Sequence, residues 1–373
     1  MTGPDLAIGF IGAGAANFGG GEGPWDHASR LEKIPGLRAV GIADPDLARA
    51  KSRLDERRGT LWTGARAFAD FRPMLDEAKP EAVWIAVPPH AHGTTEPGKD
   101  IEVECARRGV HMLIEKPLGG ARPELVRPVA DAVAKSGVIA SVGYMFRYSR
   151  AIGKMKEILD ATPGGGRVFV GQYDCAYSRI VKPEWWDIRP MGGPIVEQAT
   201  HFVDLARFLL GDANPASVRA VAIPGGSAAG ALSDIPQQPD GRRMDAGVPD
   251  AFRHPRATAA VWTFLNGAVG SLTHATLLHR EKYDTRLEVW GDGLRVELDD
   301  PYGVPSLRVR RPHTEATETV PIGDDDPYLT EDLAFVEAVR TRNPAGIRSP
   351  YADAFRTFEL TWAITDAAST DRD

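Results

Sequence analysis

The sequence predicts an α/β protein in which a doubly wound parallel sheet is followed by an α+β domain with mostly antiparallel strands. The first 146 residues alternate short, uniformly apolar runs with helical segments, as the buried strands and crossover helices of a parallel sheet do. Later segments resemble strands joined by turn dipeptides such as Asn266-Gly267. A length of 373 residues also suggests two domains, because one domain takes roughly 150 residues.

The elements of the first half follow in a regular order. Each apolar run is short enough for a strand, and the segments between them carry helical periodicity. Repeated alternation of this kind implies right-handed crossovers and one parallel sheet. The predicted strands are 6–11, 38–43, 82–87, 110–114 and 138–142, and the predicted helices are 47–58, 101–108 and 124–135.

The pattern changes after residue 146, which we take as the domain boundary, giving domains 1–146 and 147–373. Asn266-Gly267 favours a two-residue type I′ turn, in which both residues have positive φ. Residues 224–255 contain five prolines and five glycines, so we expect a long surface loop inserted in the second domain. The predicted strands are 167–176, 257–265, 268–278, 287–290 and 294–298, and the predicted helices are 152–159, 329–341 and 350–368.

Composition excludes several classes of function. Lys and Arg total 44 against 51 Asp and Glu, a net charge of -7, so there is no electrostatic basis for nucleic-acid binding. Two cysteines, Cys105 and Cys175, cannot form a disulfide scaffold or a four-cysteine zinc site, and the dispersed histidines suggest no metal site. No run of 18 apolar residues predicts a membrane span, and Met1–Asp5 lack the basic start of an export signal. We therefore expect a cytoplasmic protein.

A glycine-rich turn follows the first predicted strand. The motif running from Gly12 to Asn17 has the position of a dinucleotide fingerprint, where Gly12 allows the tight turn and Gly14 lets the backbone approach a pyrophosphate. Asn17 replaces the usual third glycine or alanine. Asp44, at the end of the second strand, would accept hydrogen bonds from a ribose and repel a 2′-phosphate, which favours NAD over NADP. An ordinary glycine turn and a turn or N-cap aspartate are the alternatives.

Two further segments carry candidate chemistry. Lys116 ends the fourth predicted strand, at the edge where doubly wound sheets hold ligands, although a surface lysine fits the same position. Glu197, His201 and Asp204 are spaced i, i+4, i+7 in a predicted helix that ends near Gly211, so they would share one face. A solvated helix face with a capping glutamate is the alternative.

These motifs, in this order, make the chain similar to the Gfo/Idh/MocA family of oxidoreductases over nearly its whole length. Supporting segments are 87–92, 143–148, 264–268 and 349–351. The resemblance implies an N-terminal Rossmann domain, a C-terminal domain with a large, open, mostly antiparallel sheet, a nicotinamide cofactor, and a homodimer or homotetramer formed through that sheet. It also implies a Lys116-Pro117 bond that is often cis in the family.

The resemblance assigns roles to individual residues. The family's catalytic lysine falls on Lys116, its histidine on His201 and its aspartate on Glu197, a longer side chain. The expected cofactor contacts are Gly12, Gly14, Ala15, Ala16, Asn17, Asp44, Val87, Pro88, His90, His92, Glu115 and Lys116. The expected substrate contacts are Arg147, Tyr177, Lys182, Trp186, Arg189, Glu197 and His201, with Arg179 and Trp185 close by in the sequence.

The resulting expectation is an NAD-dependent oxidoreductase that moves a hydride between a secondary hydroxyl of a sugar, polyol or glycoside and the nicotinamide, with NADP as the less favoured cofactor. Lys116 and His201 would form the acid–base pair. A second possibility is a glycoside-cleaving enzyme that keeps NAD bound and oxidises the sugar transiently. A third is an NAD-binding regulator without catalysis, which would need neither Lys116 nor His201.

Overall fold

The computed structural model describes residues 5–21, 25–57, 59–280 and 282–370, and the described chain divides into two compact units. The first unit runs to Tyr148 and includes Asp326–Phe355, whereas the second contains Ser149–Asp325 and continues from Arg356. The segment 326–355 was expected in the second domain. It belongs to the first unit because apolar side chains such as Phe335 and Val339 join the core beneath the parallel sheet.

The helices agree with the predicted ones wherever helical periodicity is strong, although Arg58, the predicted end of one helix, lies outside the described residues. Shorter helices between them were not predicted. The helices are α1 (Ala15–Phe18), α2 (His27–Leu31), α3 (Leu47–Glu56), α4 (Phe71–Pro73), α5 (Ile101–Arg107), α6 (Pro123–Ser136), α7 (Arg150–Ala161), α8 (Ile188–Met191), α9 (Pro194–Glu197), α10 (Thr200–Leu210), α11 (Pro327–Thr341) and α12 (Tyr351–Thr370). No helix in the described ranges has the length and apolar character needed to cross a membrane.

The first unit contains the predicted parallel sheet. Its strands are β1 (Leu6–Ile11), β2 (Leu37–Ala43), β3 (Arg66–Phe68), β4 (Ala82–Ile85), β5 (His111–Ile114) and β6 (Ala140–Val142). They are ordered β3-β2-β1-β4-β5-β6 and every pairing is parallel. Only β3 was missed, because three residues that begin with an exposed arginine have no apolar run. The order reverses direction at β1, which is the position where such sheets bind nucleotides.

The second unit contains the large, mostly antiparallel sheet that was predicted, but with eight strands. Its strands are β7 (Val168–Ala176), β8 (Arg219–Ile223), β9 (Ala257–Thr263), β10 (Val269–Leu278), β11 (Tyr283–Trp290), β12 (Arg295–Asp299), β13 (Ser306–Arg310) and β14 (Glu318–Val320). Of these, β8, β13 and β14 were not predicted. Their order is β14-β13-β12-β11-β7-β10-β9-β8, and only the central β7–β10 pair is parallel. Helix α10 packs on β7, where Gly171 leaves room for the ring of Phe202.

The turn between β9 and β10 differs from the type I′ turn predicted. Gly267 has a φ of 87°, but Asn266 does not have positive φ. Gly267 N–H donates to the carbonyl of Phe264 at 3.0 Å, which closes a longer turn with glycine at its left-handed position. The Asn266 amide instead donates to the carbonyl of Leu210 at 2.7 Å. A contact made with a distant segment therefore decides the turn.

The segment 224–255 was predicted to be a surface loop, and this is wrong for part of it. Ile235 and Met244 are 6% and 5% exposed and form a small core with Tyr177 and Trp186. His254, at the end of the segment, is completely buried. The proline and glycine content correctly predicted an irregular backbone. It could not predict the burial of Ile235, Met244 and His254, because the residues they contact are distant in sequence.

Candidate active site

Four neighbouring strands of the first unit end in predicted site residues. Gly12 follows β1, Asp44 follows β2, Val87 lies just beyond β4, and Glu115 and Lys116 follow β5. Because these strands are adjacent and parallel, their carboxyl ends meet at one edge of the sheet. The tertiary structure thus brings the predicted nucleotide turn and the predicted catalytic lysine to the same edge.

The glycine turn fits a dinucleotide. Gly12 has a φ of 95°, and a Cβ there would overlap the carbonyl oxygen of Ala86. A Cβ on Gly14 would meet nothing within 4 Å, so a ligand can approach this backbone. Ala15 and Ala16 are partly exposed and begin α1, where the first N–H groups have no acceptor within the helix.

Asn17 has a different role from the cofactor contact predicted. Its side chain is completely buried, and its amide donates to the carbonyl of Gly12 at 2.7 Å and that of Ile11 at 3.4 Å. Asn17 therefore holds the glycine turn from the protein side. The glycine or alanine usual at this position could not supply these hydrogen bonds.

The carboxylate of Asp44 is already surrounded by donors of the protein. It accepts N–H groups from Ala13 at 2.7 Å and Asp46 at 2.8 Å, and the guanidinium of Arg49 donates to both oxygens at 2.7 and 3.2 Å. Asp44 is 3% exposed, whereas the Arg49 side chain is 48% exposed. The hydrogen bond with Asp44 is the main cause that raises the pKa of Arg49. Any ribose contact to Asp44 would therefore require Arg49 to move.

Glu115, expected to contact the cofactor, belongs to a buried ionic network. Its Oε1 lies 3.0 Å from His27 Nε2, and Asp332 Oδ1 lies 2.8 Å from His27 Nδ1. Burial disfavours the charged imidazole, but the two carboxylates outweigh it and raise the pKa of His27 well above its usual value. Trp84 Nε1–H also donates to Asp332 at 2.9 Å. This network anchors the residue that precedes Lys116, and the Lys116-Pro117 bond is cis as the resemblance implied.

The predicted cofactor residues in the loop after β4 fall into two groups that differ in burial. Pro88 and His90 are exposed and Val87 is partly buried beside the glycine turn. His92 is 3% exposed, and its Nδ1 lies 2.6 Å from an oxygen of the fully buried Glu102. His92 therefore holds the loop to α5, and the prediction that it contacts the cofactor has no support from its setting.

Glu197 and His201 were predicted to lie on one continuous helix, but the structure places them on two. Helix α9 ends at Glu197 and α10 begins at Thr200, because the backbone turns at Gln198 and Ala199. His201 is 6% exposed, and its ring centroid lies 6.3 Å from that of Tyr302, edge to face. Asp204 is 1% exposed and accepts a hydrogen bond from Thr357 at 2.9 Å, so it is part of the packing.

Glu197 has a specific neighbour in the second unit. Trp185 Nε1–H donates to Glu197 Oε2 at 3.1 Å. The following residue, Gln198, accepts from Cys175 Sγ at 3.4 Å and lies 2.9 Å from His274 Nε2. Burial lowers the pKa of His274 to about 3 while Glu197 opposes that shift, so His274 is neutral at physiological pH. The side chain of Gln198, between α9 and α10, is thus held by contacts with β7 and β10.

The other predicted substrate residues fall into distinct environments. Trp186 is completely buried and Tyr177 is 5% exposed in the core with segment 224–255, so both are packing residues and their predicted substrate contacts are not supported. Lys182 is exposed. Arg189 is exposed and pairs with Asp187.

Arg147 is also a structural residue in the first unit. Its guanidinium is 4% exposed, lies 2.7 Å from Asp353 and donates to the carbonyl of Arg348 at 2.5 Å. This internal ion pair gives no support to the predicted contact of Arg147 with cofactor or substrate. In the sequence, an arginine close to a family motif looks the same whether it binds a ligand or forms an internal ion pair.

Sequence reasoning missed three residues around the candidate groups. Tyr302 lies beside His201, His27 pairs with Glu115, and His254 stacks on Trp185 with ring centroids 3.9 Å apart. Each is distant in sequence from the residue it contacts, so a single sequence offered no local pattern. Among the described residues, no group of three or more His, Cys, Asp or Glu side chains is arranged to hold a metal ion.

Two family models match successive parts of the chain. The model described as "Oxidoreductase family, NAD-binding Rossmann fold", that of the Gfo/Idh/MocA family, matches residues 6–144. A model of an oxidoreductase C-terminal domain matches residues 147–294. The first covers the parallel sheet and the second covers β7–β11.

Individual proteins agree with these matches. Uncharacterized protein UNK4.17 of Schizosaccharomyces pombe is 34% identical over 98% of this chain and 92% of its own length. Inositol 2-dehydrogenase 4 of Saccharopolyspora erythraea is 28% identical over 57% of this chain and 56% of its own. A levoglucosan dehydrogenase, solved with NADH and levoglucosan, shares the fold with a TM-score of 0.76 at 20% identity, covering 98% of both chains. The chain is therefore a member of the Gfo/Idh/MocA family of oxidoreductases, with a nicotinamide-cofactor-binding Rossmann fold in its first unit.

Proposed function

We propose that this oxidoreductase oxidises a secondary hydroxyl of a sugar, polyol or glycoside with NAD as its cofactor, and that it also catalyses the reverse reaction. The main support for the proposal is that the open glycine turn and Lys116 lie at the same edge of the parallel sheet. Relatives named for inositol and levoglucosan support a hydroxylated ring as the substrate class.

In this reaction His201 and Lys116 have separate roles. When bound, the nicotinamide supplies the acceptor for the hydride that leaves the carbinol carbon. His201 takes the proton of the substrate hydroxyl as general base, and the Lys116 ammonium stabilises the alkoxide as it forms. A positioned acid–base group contributes about 10² to 10⁴ in rate, so loss of either residue is expected to abolish measurable turnover.

The preference for NAD follows from the charges at the end of β2. Asp44 and Asp46 lie where the adenosine ribose is bound in such sheets, and a carboxylate there repels a 2′-phosphate. Arg49 neutralises part of this charge and is half exposed. We propose that Arg49 swings out on NAD binding and frees Asp44 for the ribose hydroxyls.

The experiment measures turnover of a panel of polyols, free sugars and glycosides with NAD or NADP. Lys116→Ala and His201→Ala are expected to lose turnover and to bind NADH with unchanged Kd. Lys135→Ala and His313→Ala, at exposed positions, serve as matched controls and are expected to behave as wild type. Unchanged turnover in both Lys116→Ala and His201→Ala would reject the assignment.

The same panel distinguishes the rival functions. Release of an aglycone without NADH absorbance and without added NAD would indicate the glycoside-cleaving reaction with a retained cofactor. No turnover of any compound, together with a partner protein captured only when NAD is present, would indicate a regulator. We expect NADH absorbance to rise in proportion to product.

We also propose a homodimer or homotetramer formed through the open face of the eight-stranded sheet. Val221, Val261, Val269 and Trp290 are between 42% and 58% exposed, and the strand register places them on one face. Light scattering of the purified protein tests this. Val261→Glu is expected to shift the mass toward the monomer, and a wild-type protein with monomer mass would contradict the proposal.

A further inference from the structure

The ring of Trp185 is held between Glu197 and the end of segment 224–255. Its indole N–H donates to Glu197 at 3.1 Å, and His254 stacks on it with ring centroids 3.9 Å apart and planes inclined by 33°. Trp185 itself is 7% exposed. One face of the indole therefore packs on a buried imidazole while its polar edge reaches the carboxylate.

His254 is fixed from several directions. Its backbone N–H donates to the carbonyl of Trp186 at 3.0 Å, and its Nε2 lies 3.2 Å from the hydroxyl of Thr276 on β10. The neighbouring Arg256 is 1% exposed, with its guanidinium 5.2 Å from the ring centroid of Trp186. These contacts join the end of segment 224–255 to the sheet and hold the imidazole on which Trp185 stacks.

Glu197 needs such support more than an aspartate would. The family's aspartate at this position is one methylene shorter, and the additional torsion of glutamate must be immobilised before its carboxylate can bind a substrate in one geometry. The indole N–H of Trp185, on a ring packed against His254, supplies that restraint at Oε2 of the carboxylate.

We propose that Trp185 and His254 are positioning residues that orient the Glu197 carboxylate toward the substrate, so that segment 224–255 acts as a specificity element. This inference rests on the proposed function, because it assumes that Glu197 contacts the sugar or polyol. Trp185 acts on Glu197 directly, and His254 acts through Trp185.

The first experiment needs no substrate. The chain has eight tryptophans, whose indole N–H groups give separate signals in a ¹H–¹⁵N correlation spectrum. Trp185→Phe removes one signal and so assigns it. Glu197→Gln is expected to move that signal because the charged acceptor is lost, whereas Glu184→Gln, at an exposed acid next to Trp185, is expected to leave it in place. A Trp185 signal that does not respond to Glu197→Gln would overturn the contact.

The second experiment is a double-mutant cycle on the best substrate of the panel. A hydrogen bond to a charged group supports an effect of about 10- to 100-fold, so Trp185→Phe and Glu197→Gln are each expected to lower kcat/KM by that factor, mainly through a higher KM. The double variant is expected to be no worse than Glu197→Gln alone. Additive losses, or wild-type kinetics of Trp185→Phe, would refute positioning.

Two controls separate failure of the inference from failure of the proposed function. NADH Kd is expected to be unchanged in Trp185→Phe and its thermal midpoint only slightly lowered, since phenylalanine can still stack on His254 but cannot donate to Glu197. His254→Phe, which preserves an aromatic surface, is expected to retain more activity than His254→Ala. If no compound in the panel turns over, the proposed function fails, while the spectral response still decides whether Trp185 holds Glu197.

Discussion

Acidification from pH 6 to pH 5 is expected to destabilise this protein through two buried histidines. His254 and His274 are completely buried. Burial, with smaller contributions from His274 and Arg256, lowers the pKa of His254 well below its usual value, and burial lowers that of His274 to about 3. Both imidazoles therefore stay neutral in the folded protein at pH values where the unfolded chain binds a proton.

The sign and the size follow from proton linkage. Below a pKa of about 6.5 the unfolded state binds one more proton per histidine, so stability is retained above that pH and lost as the pH falls. Each histidine contributes a slope of about 1.4 kcal/mol per pH unit, or about 2.7 kcal/mol for the two. A domain is stable by only about 5 to 15 kcal/mol, so the loss is measurable.

The other titrating groups are the same in wild type and in each variant, so their contributions cancel when the slopes are compared. His27 has a raised pKa, so its contribution is fully present below about pH 6.5 and is lost only as the pH rises through the higher folded value. Carboxylates of the unfolded chain titrate near pH 4, below the range used. His111, whose pKa is lowered by burial and by Arg342, adds a slope of the same sign in every variant compared.

The assay is urea denaturation followed by circular dichroism between pH 6.0 and 5.0. Wild type is expected to show the combined slope, and His274→Gln, which cannot titrate, is expected to show a slope smaller by about 1.4 kcal/mol per pH unit. His254→Phe should reduce the slope by a similar amount. A stability that is flat in wild type, or a slope that His274→Gln leaves unchanged, would refute the reasoning.

Three further predictions concern the first unit. Gly12→Ala is expected to destabilise the fold by at least about 1 kcal/mol, because Gly12 has positive φ and the new Cβ would overlap a backbone carbonyl. Gly14→Ala is expected to keep the thermal midpoint of wild type and to weaken NADH binding. Equal thermal midpoints for the two variants would contradict this. Asp44→Ser is expected to raise the ratio of NADP to NAD turnover by at least tenfold, since Arg49 is left to meet a 2′-phosphate, and Arg49→Ala in the same background should remove the gain. His27→Gln is expected to flatten the decline of stability above pH 7, because the variant lacks the protonated imidazole that pairs with Glu115 and Asp332. A decline identical to that of wild type in urea titrations would exclude His27 as its source.

Local physics made much of the fold predictable. The uniform apolar run Leu6–Ile11 is a buried strand whose bounds were predicted without error, and the alternation of such runs with helices was sufficient for the parallel sheet. The strand β3 lacks such a run and was missed, and β8, β13 and β14 of the second sheet were missed as well. The type I′ turn at Asn266 was wrong because the Asn266 side chain is engaged by Leu210.

The candidate site was predictable in part. The Gfo/Idh/MocA motifs identified the glycine turn and Lys116, which the structure brings to one edge of a sheet. The motifs did not reveal that Arg147 and Trp186 are buried packing residues, because an arginine or a tryptophan near a motif has the same sequence signature whether it binds a ligand or completes the core.

The sequence by itself determined the alternation of strands and helices in the first unit, the glycine turn, the family and the residue types available for catalysis, since each depends on neighbours along the chain. Only the tertiary structure decided that Arg49 covers Asp44, that His27 anchors Glu115 and that His254 supports Trp185. The burial and the charge state of a side chain are set by groups that can be up to hundreds of residues away, and folding alone brings those groups together.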